Sequence, residues 1–240
     1  QRKLERVYSR QEYRRAFPGE IGELTFPTRT LENYAQMLLH SVDTTDVADA
    51  NLRVVIDAGG GAASLVLPML LGRLGVDAHV VGAGMDEVHP TETPTERTAA
   101  LDRLTSLVSS SQASFGVYFG PVGERLAIVD ETGRVIDESR ALLVFLDLIA
   151  AEVRRGRIAL PVTTTRVAAR VARSYGVDIE WTRTSAGELS RAAEQPGLIF
   201  AGDGAGGYVF PEFSGAPDAI AAFVRLAGLV ARTHLPLSRI

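Results

Sequence analysis

Residues 53–82 read RVVIDAGGGAASLVLPMLLGRLGVDAHVVG, and this stretch decides the fold class. RVVID (53–57) is a short β-branched run of strand type, and AGGGAAS (58–64) is a small-residue turn. SLVLPMLLGRLG then has helical composition, with Gly72 or Gly75 near its end, and AHVVG (78–82) is a second strand. Pro68 must fall in the first turn or two of that helix, because deeper it costs about 3 kcal/mol. Strand, helix, strand within some thirty residues is a βαβ unit, and it predicts α/β layering.

The alternation continues outward. The polar segment MDEVHPTETPTE (85–96) predicts a loop, and 97–110 an amphipathic helix through Leu101, Leu104 and Val108. FGVYF (115–119) and LAIVD (126–130) are strands, ETGR (131–134) a turn, and 139–154 a strong helix. The pattern then restarts: RIALP (157–161) is a strand, 164–175 a helix closed by Gly176, and DIEWT (178–182) a strand. Ser185 and Glu188 match a capping box. GLIFAGD (197–203) and GYVFP (207–211) form a hairpin around Gly204, and Pro217 opens a closing helix over 216–233. Upstream, 30–42 is helical, while 1–30 reads as a helix awaiting a partner or as a linker. The expected organisation is a 1–50 linker and helical segment, a 51–155 α/β domain and a 156–240 α/β domain. Each would be a mixed sheet with packed helices, two copies of one fold without a residue-level repeat.

Composition bounds the function. The chain has 240 residues, 46% hydrophobic, which is enough for a large core. The net charge of −4 gives no general pull toward nucleic acid or anionic membrane. Without cysteine there is no disulfide, thiolate catalysis or Cys-type zinc site. The four histidines, His40, His79, His89 and His234, have no metal-site spacing. No apolar run reaches the roughly 20 residues of a membrane span, and residues 1–15 are too charged for a signal peptide. A cytoplasmic protein is the expectation, and the start at Gln1 suggests a piece of something longer.

Three glycine-rich turns are candidate sites. Asp57–Ser64 either holds a phosphate on helix N-terminal amides or is a tight strand-to-helix turn. Gly120-Pro-Val-Gly-Glu-Arg125 reads as a hairpin loop. In Gly202-Asp-Gly-Ala-Gly-Gly207, Asp203 can accept from a sugar hydroxyl while the glycines admit a ring; otherwise it is a hairpin needing positive φ. Arg125, Arg166 and Arg183 lie near strand ends, where guanidinium forks suit phosphate. Trp181 reads as core or interface. Asp130 and Glu131 point to opposite faces of a strand and make a poor metal clamp.

These turns, in this order, resemble the α-D-phosphohexomutase superfamily, the phosphoglucomutases and phosphomannomutases. RVVIDAGGGAASLVLPMLLGRLG is similar to the opening of that family's second domain, and FGVYFGPVGERLAIVDETGRVI to its metal loop and following strand. GDGAGGYVF stands where the family places its sugar-reading loop. The resemblance covers about residues 30–235, the family's second and third of four domains.

The resemblance implies a hexose phosphate partner; Gly202, Asp203, Gly206 and Arg125, with Arg183 from its place near a strand end, are the candidate contacts. It also implies Mg²⁺ on three aspartates, but the matching positions are Gly120, Val122 and Glu124. No metal cofactor is therefore expected here. No segment resembling the family's phosphoserine motif occurs, so turnover by this chain alone is not expected. The segments 14–27 and 201–213 are similar to the C-terminal mutase-like region of bacterial mannose-1-phosphate guanylyltransferase-type proteins. That implies nucleotidyltransferase domains upstream and a GDP-mannose-type pathway. Three readings stay open: a silent module that binds sugar phosphate or holds a homo-oligomer together, a fragment of a working mutase, and a ligand-free scaffold.

Overall fold

The computed structural model describes residues 2–85 and 91–240. His89 and most of the start of the 85–96 loop lie outside them. Residues Gln1–Thr30 are a compact unit of their own. It contains helix α1 (Arg2–Ser9), a Tyr8–Tyr13 stack with centroids 6.4 Å apart, and an Arg14–Glu20 ion pair.

The second unit, Leu31–Ile240, holds both α/β layers. Helices α2 (Thr30–His40) and α3 (Thr44–Asp49) precede strand β1 (Arg53–Asp57), helix α4 (Ala63–Leu74) and β2 (Asp77–Val81). Helix α5 (Pro94–Ser111), β3 (Phe115–Phe119), β4 (Leu126–Asp130), β5 (Val135–Ile136) and α6 (Glu138–Val153) follow. The second layer runs β6 (Arg157–Pro161), α7 (Val167–Ser174), β7 (Asp178–Thr182), α8 (Ala186–Ala193), β8 (Leu198–Gly202), β9 (Tyr208–Val209) and α9 (Ala219–Thr233).

The first sheet has the order β2-β1-β3-β4-β5, with β1 parallel to β2 and β3, and β4 antiparallel to β3. The second has the order β7-β6-β8-β9, with β6 parallel to β7 and β8, and β9 antiparallel to β8. Apart from the extra edge strand β5, order and direction are the same in both, so the repeat suggested by the sequence is real at the level of topology. Each sheet is mixed and covered by helices.

Strand residues sort by the two-residue period. Val54, Ile56, Phe115, Val117, Phe119, Leu126 and Ile128 face one core, shared with Ile158, Leu160, Phe200 and Tyr208 of the second sheet. The alternate residues Val55, Tyr118, Ala127 and Val129 meet α5 in a separate cluster, and Ala159, Ala201 and Val209 meet α8 in a third. The central strands read as unbroken apolar runs because both faces are covered.

Helix starts differ from expectation where a cap outranks hydrophobic periodicity. Helix α5 begins at Pro94, not 97, because Thr93 and Glu96 form a reciprocal capping box. Helix α9 begins at Ala219, and Pro217 stays outside it, because Asp218 caps it through the amides of Ile220 and Ala221. The 164–175 helix is shorter, Val167–Ser174, and the 30–42 helix ends at His40. Ser185 caps α8, but Glu188 turns to Arg191, so only half of that capping box forms. Pro68 is the sixth residue of α4, in its second turn, and Gly75 closes that helix at φ +83°. Trp181 is 44% exposed on edge strand β7 and is not core.

The Asp218 carboxylate also accepts the single proton of the Tyr34 hydroxyl, which lies 2.9 Å from Oδ1 and 2.8 Å from Oδ2. Burial and the neighbouring carboxylate raise the Tyr34 phenol well above its ordinary range, so it stays a neutral donor. Asp218→Ala removes the α9 cap and leaves this hydroxyl without its acceptor. The expected loss is about 2–3 kcal/mol, read by urea unfolding, with Asp218→Asn losing less.

Candidate functional site

In α/β sheets, ligands meet the loops at the carboxyl ends of the parallel strands. Here those are residues 58–62 after β1, the segment from Gly82 after β2, 120–125 after β3, 162–166 after β6, 183–185 after β7 and 203–207 after β8.

The first loop is occupied with its own backbone. The amides of Ala58, Gly59, Gly60, Gly61 and Ala62 go to Val81 O, Asp57 Oδ1, Gly82 O, Ala58 O and Pro121 O. None of the amides of 58–62 is left for a phosphate, and α4 has no side-chain cap. Of the two readings of Asp57–Ser64, the tight turn is the one formed. Glycine is needed because a Cβ on Gly59 (φ +61°) would sit 2.2 Å from Phe119 O, and one on Gly61 2.1 Å from Pro121 O. Asp57 is fully buried and pairs with Arg103 of α5. The sequence reading missed that pair, since the two residues are 46 positions apart.

The second loop is a hairpin closed by Gly120 N donating to Arg125 O at 2.9 Å. Gly123 N returns to Gly120 O, with Pro121 and Gly123 at the positions that turn residues favour. Val122 is 66% exposed and Glu124 is exposed. The Mg²⁺ implied by the resemblance would have to be held here, and the donor set does not fit it. Gly120 and Val122 carry no side-chain oxygen, which leaves one exposed carboxylate where the resemblance implies three. Among the described residues, no group of three His, Asp or Glu is placed to hold a metal ion. Asp130 accepts from Thr132 and Arg134 amides, while Glu131 binds Ser238, so these adjacent carboxylates serve separate structural ends.

The third loop leaves β8 at Gly202 and returns at Tyr208. Asp203 organises it: Oδ1 accepts from Ala205 N at 2.7 Å and Gly207 N at 2.9 Å. Gly204 and Gly206 have φ +70° and +88°, as the hairpin reading required.

Arg125 and Asp203, 78 residues apart in sequence, meet: Arg125 Nη1 lies 3.4 Å from Asp203 Oδ2 and donates to Ala205 O. Leu126 N donates to Gly206 O at 2.9 Å. The structure thus brings Gly202, Asp203, Gly206 and Arg125 together. Arg183 stands apart and exposed after β7, two strands from β8 and so about 10 Å away by strand spacing. Arg166 is the exposed N-cap residue of α7. The Tyr208 hydroxyl is buried without a hydrogen-bond partner, and burial raises its phenol above the ordinary range.

Comparison with known proteins bears on the family and the fold. Residues 32–133 match the family model described as phosphoglucomutase/phosphomannomutase, alpha/beta/alpha domain II, and residues 137–240 match alpha/beta/alpha domain III. A phosphoglucomutase/phosphomannomutase of Thermococcus kodakarensis is 26% identical over 99% of this chain and 52% of its own length. A chain named "Probable phosphoglucosamine mutase" from Methanosarcina acetivorans is 29% identical over 79% of this chain and 43% of its own. Among solved structures, a phosphoglucomutase/phosphomannomutase family protein of Burkholderia thailandensis superposes with a TM-score of 0.72 at 23% identity, covering 84% of this chain and 44% of that one. The chain belongs to the phosphoglucomutase/phosphomannomutase family, as its domains II and III. It spans about half the length of the relatives it matches. No helix among the described residues is long and apolar enough to cross a membrane.

A Cβ on Gly120 meets nothing closer than Arg125 Cβ at 3.6 Å, so carboxylates can be added without strain. The double variant G120D/V122D, with native Glu124, should bind Mg²⁺ saturably in isothermal titration calorimetry, whereas the native loop should give only heat of dilution.

Proposed function

We propose that this chain is a hexose-phosphate-binding module of the phosphohexomutase type that recognises its ligand without a metal ion and does not itself turn it over. The observation that carries this reading is the junction of Arg125 and Asp203. A cation from the first domain and a carboxylate from the second lie 3.4 Å apart at strand ends, within a glycine-rich loop. A guanidinium suits the phosphate, and a carboxylate suits sugar hydroxyls. Arg125 is half exposed, so one edge of its fork stays open. The loop at 120–124 lacks the oxygen ligands that phosphoryl transfer uses to hold metal and spread charge. Arg183, exposed at the end of β7 two strands from β8, is part of this reading as an outer contact.

A place in a GDP-mannose-type pathway, beside nucleotidyltransferase domains, extends the proposal. Its support is the resemblance of segments 14–27 and 201–213. A second reading rests on coverage: the relatives named as mutases are about twice as long as the match, so the chain would be the two-domain part of a working mutase, regaining turnover in the whole.

The test is thermal unfolding with millimolar mannose 1-phosphate, mannose 6-phosphate, glucose 1-phosphate or glucosamine 1-phosphate, each with and without Mg²⁺. A ligand at 100 times its Kd adds about 2.7 kcal/mol, roughly 5–10 °C for a chain of this size. The expected result is such a shift for at least one hexose phosphate, equal in both buffers. A shift that requires Mg²⁺ favours the working-mutase reading, and no shift with any of them refutes the binding module.

A further inference from the structure

We propose that Arg125 is a positioning residue: its guanidinium is a built-in cation that latches the 120–125 hairpin of the first sheet to the 202–207 loop of the second. Loop 202–207 needs such a pin. Four of its six residues are glycine, and ordering glycine costs more backbone entropy than ordering any other residue. Asp203 folds the loop by taking the Ala205 and Gly207 amides on Oδ1, which turns Oδ2 toward Arg125. Arg125 Nη1 then fixes the loop twice, at that carboxylate and at the Ala205 carbonyl. Leu126 N adds a backbone bond to Gly206 O beside it. The fit is close, since a Cβ on Gly206 would stand 2.8 Å from Leu126 O.

Asp203 is 19% exposed, and its charge is balanced by a guanidinium that is part of the chain and cannot dissociate from it. The fixed positive charge at this end of the sheets is therefore covalent, in a loop whose side chains cannot hold an ion. The latch itself needs no ligand. Only its consequence, a recognition loop preformed for a hexose phosphate without metal, rests on the proposed function.

The experiment is amide hydrogen exchange on the ligand-free 240-residue chain, comparing wild type with R125A, R125K and D203N. In R125A the Ala205, Gly207 and Leu126 amides should exchange at least about tenfold faster, while the Gly59 and Gly60 amides of the first turn keep their wild-type rates. D203N should accelerate the same amides of the 203–207 loop, and R125K should fall between wild type and R125A. Adding 5 mM Mg²⁺ should leave wild-type exchange unchanged. Unaltered rates at those amides in R125A, acceleration spread over the whole chain, R125K as fast as R125A, or Mg²⁺-dependent protection of 202–207 would each overturn the proposal.

Discussion

Helix α9 is apolar around most of its circumference and is buried along most of its length. It leaves the second sheet, yet its Phe223 packs on Phe115 and Phe119 of the first, with centroids 6.5 and 6.0 Å away. Gly228 lets it approach Val42 closely, where an added Cβ would come within 3.0 Å. The one charged residue in its middle, Arg225, is neutralised by Glu152 and donates to Ser41 O. These demands join the two sheets in a single core, and that core sets the relation of every loop at the strand ends. Asp218, which starts α9, and Tyr34, which holds Asp218, are where this constraint is anchored.

With the sheets so joined, equivalent hairpin loops of the two repeats come face to face. The β3–β4 loop supplies Arg125 and the β8–β9 loop supplies Asp203. The β1–α4 loop, at 58–62, contributes shape alone, because its amides are spent on the chain itself. What chemistry the junction can do follows from this division. It offers one fixed cation, one partly committed carboxylate and glycine-lined space, which suits recognition better than group transfer.

Much of this was legible in the sequence. Strands β1, β3, β4, β6 and β7 fall on the residues their apolar runs indicated, since turns rich in glycine or charge mark their ends. The family was legible from three motifs in order, each weak alone. Helix starts were less so: Thr93-Pro-Thr-Glu96 looks like loop composition, and its capping box is decided by side-chain geometry. Pro217 suited a first turn by type, but Asp218 had the stronger claim as cap. Of the two readings of Trp181, core fails because hydrophobicity does not say which strand lies at an edge. The Arg125–Asp203 and Asp57–Arg103 pairs were not legible as pairs, since nothing in a chain announces which distant loops its core will bring together.

The central claim is that the two loops form one metal-free recognition site. The most direct measurement is an amide and arginine side-chain NMR titration of the chain with glucose 1-phosphate and mannose 1-phosphate in buffer containing EDTA. The account predicts saturable shifts at Arg125 Nε and at the amides of Gly202–Gly207. Shifts that appear only after Mg²⁺ replaces EDTA, or that fall away from both loops, would contradict it.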